Sequence, residues 1–169
     1  MANATEYEAF VVARQFDAPR APVWKAFTET DRLAHWWGPK GFKLTHAALD
    51  LKPGGLFHYG MEAPDGKPMW GRWVFREVEA PARLVFVSSF SNPEGEIGPC
   101  PFPMDWPPEV LSEILFTEEG GRTNLHMTGI PINATDAQFQ TFEGMKPSMQ
   151  MGWGGTFEQL AAYLKEASQ

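Results

Sequence analysis

The feature that most constrains this chain is a change of rhythm near its end, where six β-favouring runs punctuated by turn signals give way after Pro131 to one long stretch of helical period. The runs are Phe42 to Leu51, Leu56 to Glu62, Met69 to Glu79, Arg83 to Phe90, Val110 to Thr117 and Thr123 to Thr128. Three of their separators, Lys52-Pro53-Gly54-Gly55, Pro64-Asp65-Gly66 and Glu119-Gly120-Gly121, are too short for a crossover, so those neighbours are expected to pair as antiparallel hairpins. Ahead of them, Phe10, Val11, Val12 and Phe16 mark a first strand within Tyr7 to Phe16, closed by Asp17-Ala18-Pro19. Pro22 to Phe27 and Asp31 to Trp36 read as two short helices, the second with Thr30 as its cap.

Alternation inside the strands separates two faces. Phe57, Tyr59 and Met61 fall on one side with His58 and Glu62 on the other, and Gly71, Trp73 and Phe75 oppose Arg72, Val74 and Arg76. One face of the sheet is therefore aromatic. In the closing segment Met149, Trp153, Thr156, Leu160 and Leu164 recur at spacings of three and four, a stripe expected to be buried, on a helix expected to break near Gly144 and restart at Lys146-Pro147. Gly152, Gly154 and Gly155 each cost roughly 1 kcal/mol against Ala inside a helix, which suggests that something approaches the backbone there. The element order implies an α+β, helix-grip fold in a single domain over residues 1–169. In it a curved antiparallel sheet of about seven strands wraps on the long C-terminal helix and leaves a cavity against its concave face.

Seven Trp and thirteen Phe are more large rings than a core of this size needs, and rings pack with gaps unless small residues fill them. The run Trp36-Trp37-Gly38-Pro39 places paired indoles where a short helix must stop, as at the mouth of a cavity. Trp36, Trp37, Tyr59, Met61, Trp73, Phe86, Met149 and Trp153 are the candidate wall, with the Tyr59 hydroxyl and the indole N–H groups available to orient a polar atom. Each of them also has the plainer reading of core packing. The segment Ser91 to Glu109 carries six prolines and is too proline-dense for a central strand; it reads either as a lid, with Phe102, Met104 and Trp106 turned inward, or as a loop pinned over a sheet edge.

Reacting groups are sparse. His35, His46, His58 and His126 lack metal-helix spacing, so no metal is expected, and the better inward sets around His58 and His126 make those two surface histidines. Were either to face inward, it could serve as a general base. No nucleophile elbow, phosphate loop or dinucleotide turn occurs, and Glu77, Glu113 and Glu143 show no pairing, so no catalytic residue and no cofactor are assigned. Cys100, the one cysteine, reads as an incidental loop thiol. A net charge of -7 without a basic cluster disfavours nucleic acid and anionic membranes, and no apolar run approaches a membrane span. The N-terminus lacks the pattern of a signal peptide, so the expected compartment is the cytoplasm, where the glycosylation patterns at Asn3 and Asn133 carry no weight.

A resemblance adds to this reading. Arg14, Asp17-Ala18-Pro19, Val23-Trp24-Lys25-Ala26-Phe27, Trp36-Trp37-Gly38-Pro39-Lys40-Gly41-Phe42 and Asp50-Leu51-Lys52-Pro53-Gly54-Gly55 carry its first half. Pro64-Asp65-Gly66, Glu77-Val78, Pro81-Ala82-Arg83-Leu84-Val85-Phe86, Thr123 and Gly152-Trp153 carry the second. In this order they resemble the START-like helix-grip superfamily, also called SRPBCC, and within it the family similar to the C-terminal domain of the activator of Hsp-ninety ATPase. The proline-rich loop and the indole-rich strand Trp70 to Trp73 depart from that pattern. The resemblance implies a hydrophobic-ligand binder, a cyclase or a stress-response protein, since fold alone assigns no reaction. The leading expectation is a carrier of a small hydrophobic ligand of aromatic, lipid or polyketide type. Alternatives are a cyclase or hydrolase using a cavity His or carboxylate, and, ranked last, a chaperone ATPase-stimulating partner; a homodimer is possible.

Overall fold

The computed structural model describes residues 7–167, so the Asn3 pattern lies outside the described residues. Strand β1 (Phe10–Phe16) leads through helices α1 (Arg20–Thr28) and α2 (Thr30–Leu33) into β2 (Lys43–Leu49), β3 (Leu56–Glu62), β4 (Pro68–Glu79), β5 (Arg83–Phe90), β6 (Glu109–Glu119) and β7 (Arg122–Ile132), and the chain closes with α3 (Asp136–Ala167). The seven strands form one sheet in the order β1-β7-β6-β5-β4-β3-β2, every pair antiparallel. The expected α+β helix-grip architecture is the one observed. Among the described residues no helix is long and apolar enough to cross a membrane.

Local chemistry accounts for most boundaries. Helix α1 starts two residues before Pro22, after Pro19 at its N-cap. Thr30 is the first residue of α2 and not its cap, a place taken by Glu29, and the helix stops at Leu33, so both indoles of the Trp36-Trp37 pair lie in the turn beyond it. Helix α3 opens with a reciprocal cap: Thr135 Oγ1 accepts from the Gln138 amide at 3.2 Å while Gln138 Oε1 accepts from the Thr135 amide at 2.9 Å. That helix is continuous over 32 residues with Pro147 inside it, against the expected break near Gly144. Proline removes one intrahelical hydrogen bond, which a helix held at both ends can tolerate.

Those ends are where α3 is buried. Phe139 and Phe142 pack at one, Thr156, Phe157, Leu160 and Leu164 at the other, and no residue from 143 to 155 is buried. Met149 and Trp153, expected inside the buried stripe, are only half-buried. The concave face of the sheet carries Phe57, Met61, Trp73, Phe75, Phe86, Ile114, Phe116, Leu125 and Met127, all in one apolar cluster with the buried faces of α1 and α3. The predicted alternation holds along β3 and along β4 as far as Phe75, where a bulge shifts the register.

Two adjacent dipeptides lock β3 to β4. Tyr59 pairs with Gly71 and Gly60 with Trp70, so each ring lies over the bare backbone of the opposite glycine, on opposite faces of the sheet. A Cβ on Gly60 would sit 2.7 Å from the Trp70 ring, and one on Gly71 would overlap the Tyr59 ring and hydroxyl. Gly71→Ala is therefore expected to lose about 1–3 kcal/mol of stability through displaced packing. Gly144→Ala, on an open helix surface, is expected to gain up to about 1 kcal/mol. Urea denaturation midpoints check both, and equal midpoints would contradict the packing assigned to Tyr59.

Candidate functional site

The turn between α2 and β2 sets one wall of the site. Its Gly38 adopts φ +97°, and a Cβ there would run into Met61 Sδ, so only glycine lets the turn close against β3. The Gly38 carbonyl accepts from Gln159 Nε2 at 2.7 Å and Thr156 Oγ1 at 3.2 Å, both on α3, and the Trp36 carbonyl accepts from Gln159 at 3.3 Å. The turn is thereby fastened to the helix. Trp36 points into the core, 2% exposed, with its indole N–H donating to the Ala26 carbonyl at 3.0 Å. Trp37 points the other way and meets the rings of Trp36, Phe57, Tyr59, Trp73 and Trp153 edge-on, with centroids 5.2–6.0 Å apart.

Beyond Trp37 lies a hollow in two adjoining compartments. The inner one, about 210 Å³, lies against the concave sheet and reaches Trp73, Phe86, Ser88, Ser112, Met127 and Phe142. The outer one, about 340 Å³, opens under α3 and is lined by Met61, Phe102, Met104, Met145, Met149 and Gly152 among others. Trp37, Tyr59, Phe90, Trp106, Met149 and Trp153 border both. Seven of the eight expected wall residues are brought together here; Trp36 is the exception and belongs to the core, because its N–H already has a partner there.

Sequence reasoning missed Phe90, Phe142, Met145, Ser88 and Ser112 as wall residues. The first three sat in runs read as core or helix, and the serines could have been found only from strand alternation with Phe86 and Val110.

The proline-rich segment splits in two: its first half is pinned, though over the convex face of the sheet and not over an edge, and its second half carries the inward-turned apolar residues. Residues 91–98 fold back over the convex face of the sheet, where His58 Nε2 donates to the Asn92 carbonyl at 2.9 Å and Arg72 to the Gly95 carbonyl at 3.1 Å. His58 faces outward as expected, yet it is 7% exposed and so not a surface histidine, because this loop covers it and Trp70 stacks on its ring at 5.2 Å. His126 is exposed on the outer face. The second half of the segment turns to the cavity, where Cys100, Phe102, Met104 and Trp106 form its outer wall.

Charge is absent from the lining. Neither compartment is bordered by Asp, Glu, His, Lys or Arg. Arg14, on the concave face, is held by Glu158 at 3.0 Å, and Arg83 binds Glu77, Glu79 and Glu113 on the far side, where its hydrogen bonds hold the Glu77 carboxyl below its usual range. Burial pushes the Tyr59 phenol well above the ordinary tyrosine value, so it stays protonated and able to donate. The Trp37 N–H is buried with no hydrogen-bond partner in the protein. Among the described residues no cluster of His, Cys, Asp and Glu could hold a metal ion.

Glycines 152, 154 and 155 are not explained by a close neighbour in the chain. A Cβ on any of them would meet open space, and Gly152 borders the outer compartment.

Known proteins with this architecture can now be set beside it. A solution structure of an Arthrobacter aurescens protein is 26% identical, with a TM-score of 0.78 over 98% of this chain and 90% of that one. A crystal structure of a Mycobacterium smegmatis protein is also 26% identical, with a TM-score of 0.74 over 91% and 88%. One from Nitrosomonas europaea, at 23% identity, shares the fold with a TM-score of 0.76 over 95% and 96%. No curated protein matches the chain. The model of the family described as Activator of Hsp90 ATPase homolog 1-like protein matches residues 17–165, and the chain belongs to that family.

Proposed function

We propose that this protein encloses a small hydrophobic molecule between the concave sheet and α3 and does so as a carrier, with residues 99–108, the half of the proline-rich segment that turns to the cavity, as outer wall and gate. The observation that carries this reading is the outer compartment of about 340 Å³, walled by rings and methionines and continuous with a smaller space behind it. Small-molecule sites are concave, mostly apolar and set with a few polar groups, which describes this lining. A guest that gave up roughly 250 Å² of apolar surface would gain about 6 kcal/mol of transfer free energy at 25 cal/mol per Å². Before the cost of immobilising the guest is subtracted, that gain corresponds to a dissociation constant on the order of tens of micromolar. The cyclase or hydrolase alternative called for a His or carboxylate in the cavity, and the lining holds neither.

Binding and folding can be separated at Gly152, whose Cβ would enter open space beside the outer compartment. Gly152→Phe is expected to fold at least as stably as the parent and to weaken binding of the uncharged probe N-phenyl-1-naphthylamine by about tenfold or more, read from probe fluorescence. Unchanged affinity in a folded variant, or no binding by the parent, would remove the carrier reading.

Tyr59 supplies a pH signature of the same site. Its folded-state pKa lies above the unfolded value, so its contribution to stability is complete below about pH 10 and declines as pH rises past that value. Tyr59→Phe is expected to flatten the alkaline decline in melting temperature. The check is a pair of thermal melts followed from neutral to strongly alkaline pH, and superimposable declines would contradict the burial assigned to the phenol.

A further inference from the structure

From the polarity of the lining we infer that the guest is uncharged and carries a hydrogen-bond acceptor, a neutral carbonyl or ether oxygen, which takes the Trp37 N–H; this rests on the carrier reading above. Two observations meet here. No side chain of either sign borders the two compartments, so a carboxylate, phosphate or sulfonate carried inside would lose its hydration and find no counter-charge. Arg14, on the concave face, is committed to Glu158, while Arg72 and Arg83 stand on the opposite face of the sheet. The net charge of -7 further opposes an anion.

Two buried polar groups on the lining lack a partner, the Trp37 N–H and the Ser89 hydroxyl; the indole can only donate and the hydroxyl can also donate, so an acceptor suits both. The Trp37 N–H is buried without a partner, and a buried donor left unpaired costs on the order of 1–3 kcal/mol. Trp37 is 6% exposed and borders both compartments, at the junction where Tyr59 also stands with its phenol held protonated by burial. In the inner compartment, Ser88 spends its proton on the Val110 carbonyl at 3.4 Å, and Ser112, paired with Phe86 on the adjoining strand, borders the same space. A quaternary ammonium ion, which ring faces can attract, leaves the indole donor unpaired and meets no carboxylate. An aromatic ketone or ether fits both the rings and the donor.

Three probes that share one bicyclic ring, the last two matched in size, separate these terms: naphthalene, 2-acetylnaphthalene and 2-naphthoate, titrated against the full chain by calorimetry at neutral pH. The acetyl compound is expected to bind about tenfold tighter than naphthalene, and the naphthoate about a hundredfold weaker than the acetyl compound. Trp37→Phe is expected to erase the advantage of the acetyl group while leaving naphthalene within about threefold. Tyr59→Phe, which deletes one oxygen and keeps the ring, serves as the second variant and is expected to reduce the same advantage in part. Naphthoate binding as tightly as the ketone, or an acetyl advantage that survives both variants, overturns the inference and leaves the carrier reading standing. Failure of all three probes together with N-phenyl-1-naphthylamine takes both down.

Discussion

The geometry of the site depends on one carbonyl. Gly38 O accepts from Thr156 and Gln159, and through it the turn that bears the two indoles is tied to a helix it meets nowhere near in sequence. With that tie in place Trp36 is driven into the core and Trp37 is left facing the hollow. A carbonyl that receives two donors has both lone pairs engaged, so the turn is oriented and not merely attached. From that position Trp37 meets Phe57, Tyr59 and Trp73 on the sheet and Trp153 on the helix.

Large rings create the hollow instead of filling it because they are propped against one another. Trp73 stacks on Phe86 at 3.8 Å, Trp37 stands edge-on to Trp73 and Tyr59, and Tyr59 lies flat over Gly71. Each ring is fixed by a neighbour on the sheet side, so none is free to turn into the space under α3. The glycine opposite Tyr59 matters for volume as much as for strand pairing, since a bulkier residue there would push the phenol into the guest's space.

Much of this was legible in the sequence, for reasons that differ by residue. Period-two alternation placed Tyr59, Met61 and Trp73 on the inner face, and the short turns gave the hairpins, because both signals are local. Pro147 misled because a proline's effect on a helix is also local, whereas the support that keeps α3 whole comes from Phe142 on one side and Thr156 on the other. Trp36 and Trp37 have the same identity and are adjacent, so nothing in the chain distinguishes the packed indole from the lining one; the hydrogen bond to Ala26 decides it. His58 faces outward as alternation requires, but its cover comes from residues more than thirty positions later.

Helix α3 has the mechanics of a beam resting on two piers. Its middle stretch, residues 143 to 155, buries no residue and is held only by lighter contacts such as Trp153 on Trp37 and Lys146 on the Glu8 carbonyl; thirteen residues at 1.5 Å each make about 20 Å of helix crossing above the void. Into that stretch the chain puts Pro147, which leaves the Glu143 carbonyl without its rung, and Gly144, Gly152, Gly154 and Gly155, which stiffen a helix least. Flexure is thus concentrated midway between the piers, over the chamber itself, and the helix can bow outward there while both anchored ends and the sheet beneath keep their packing.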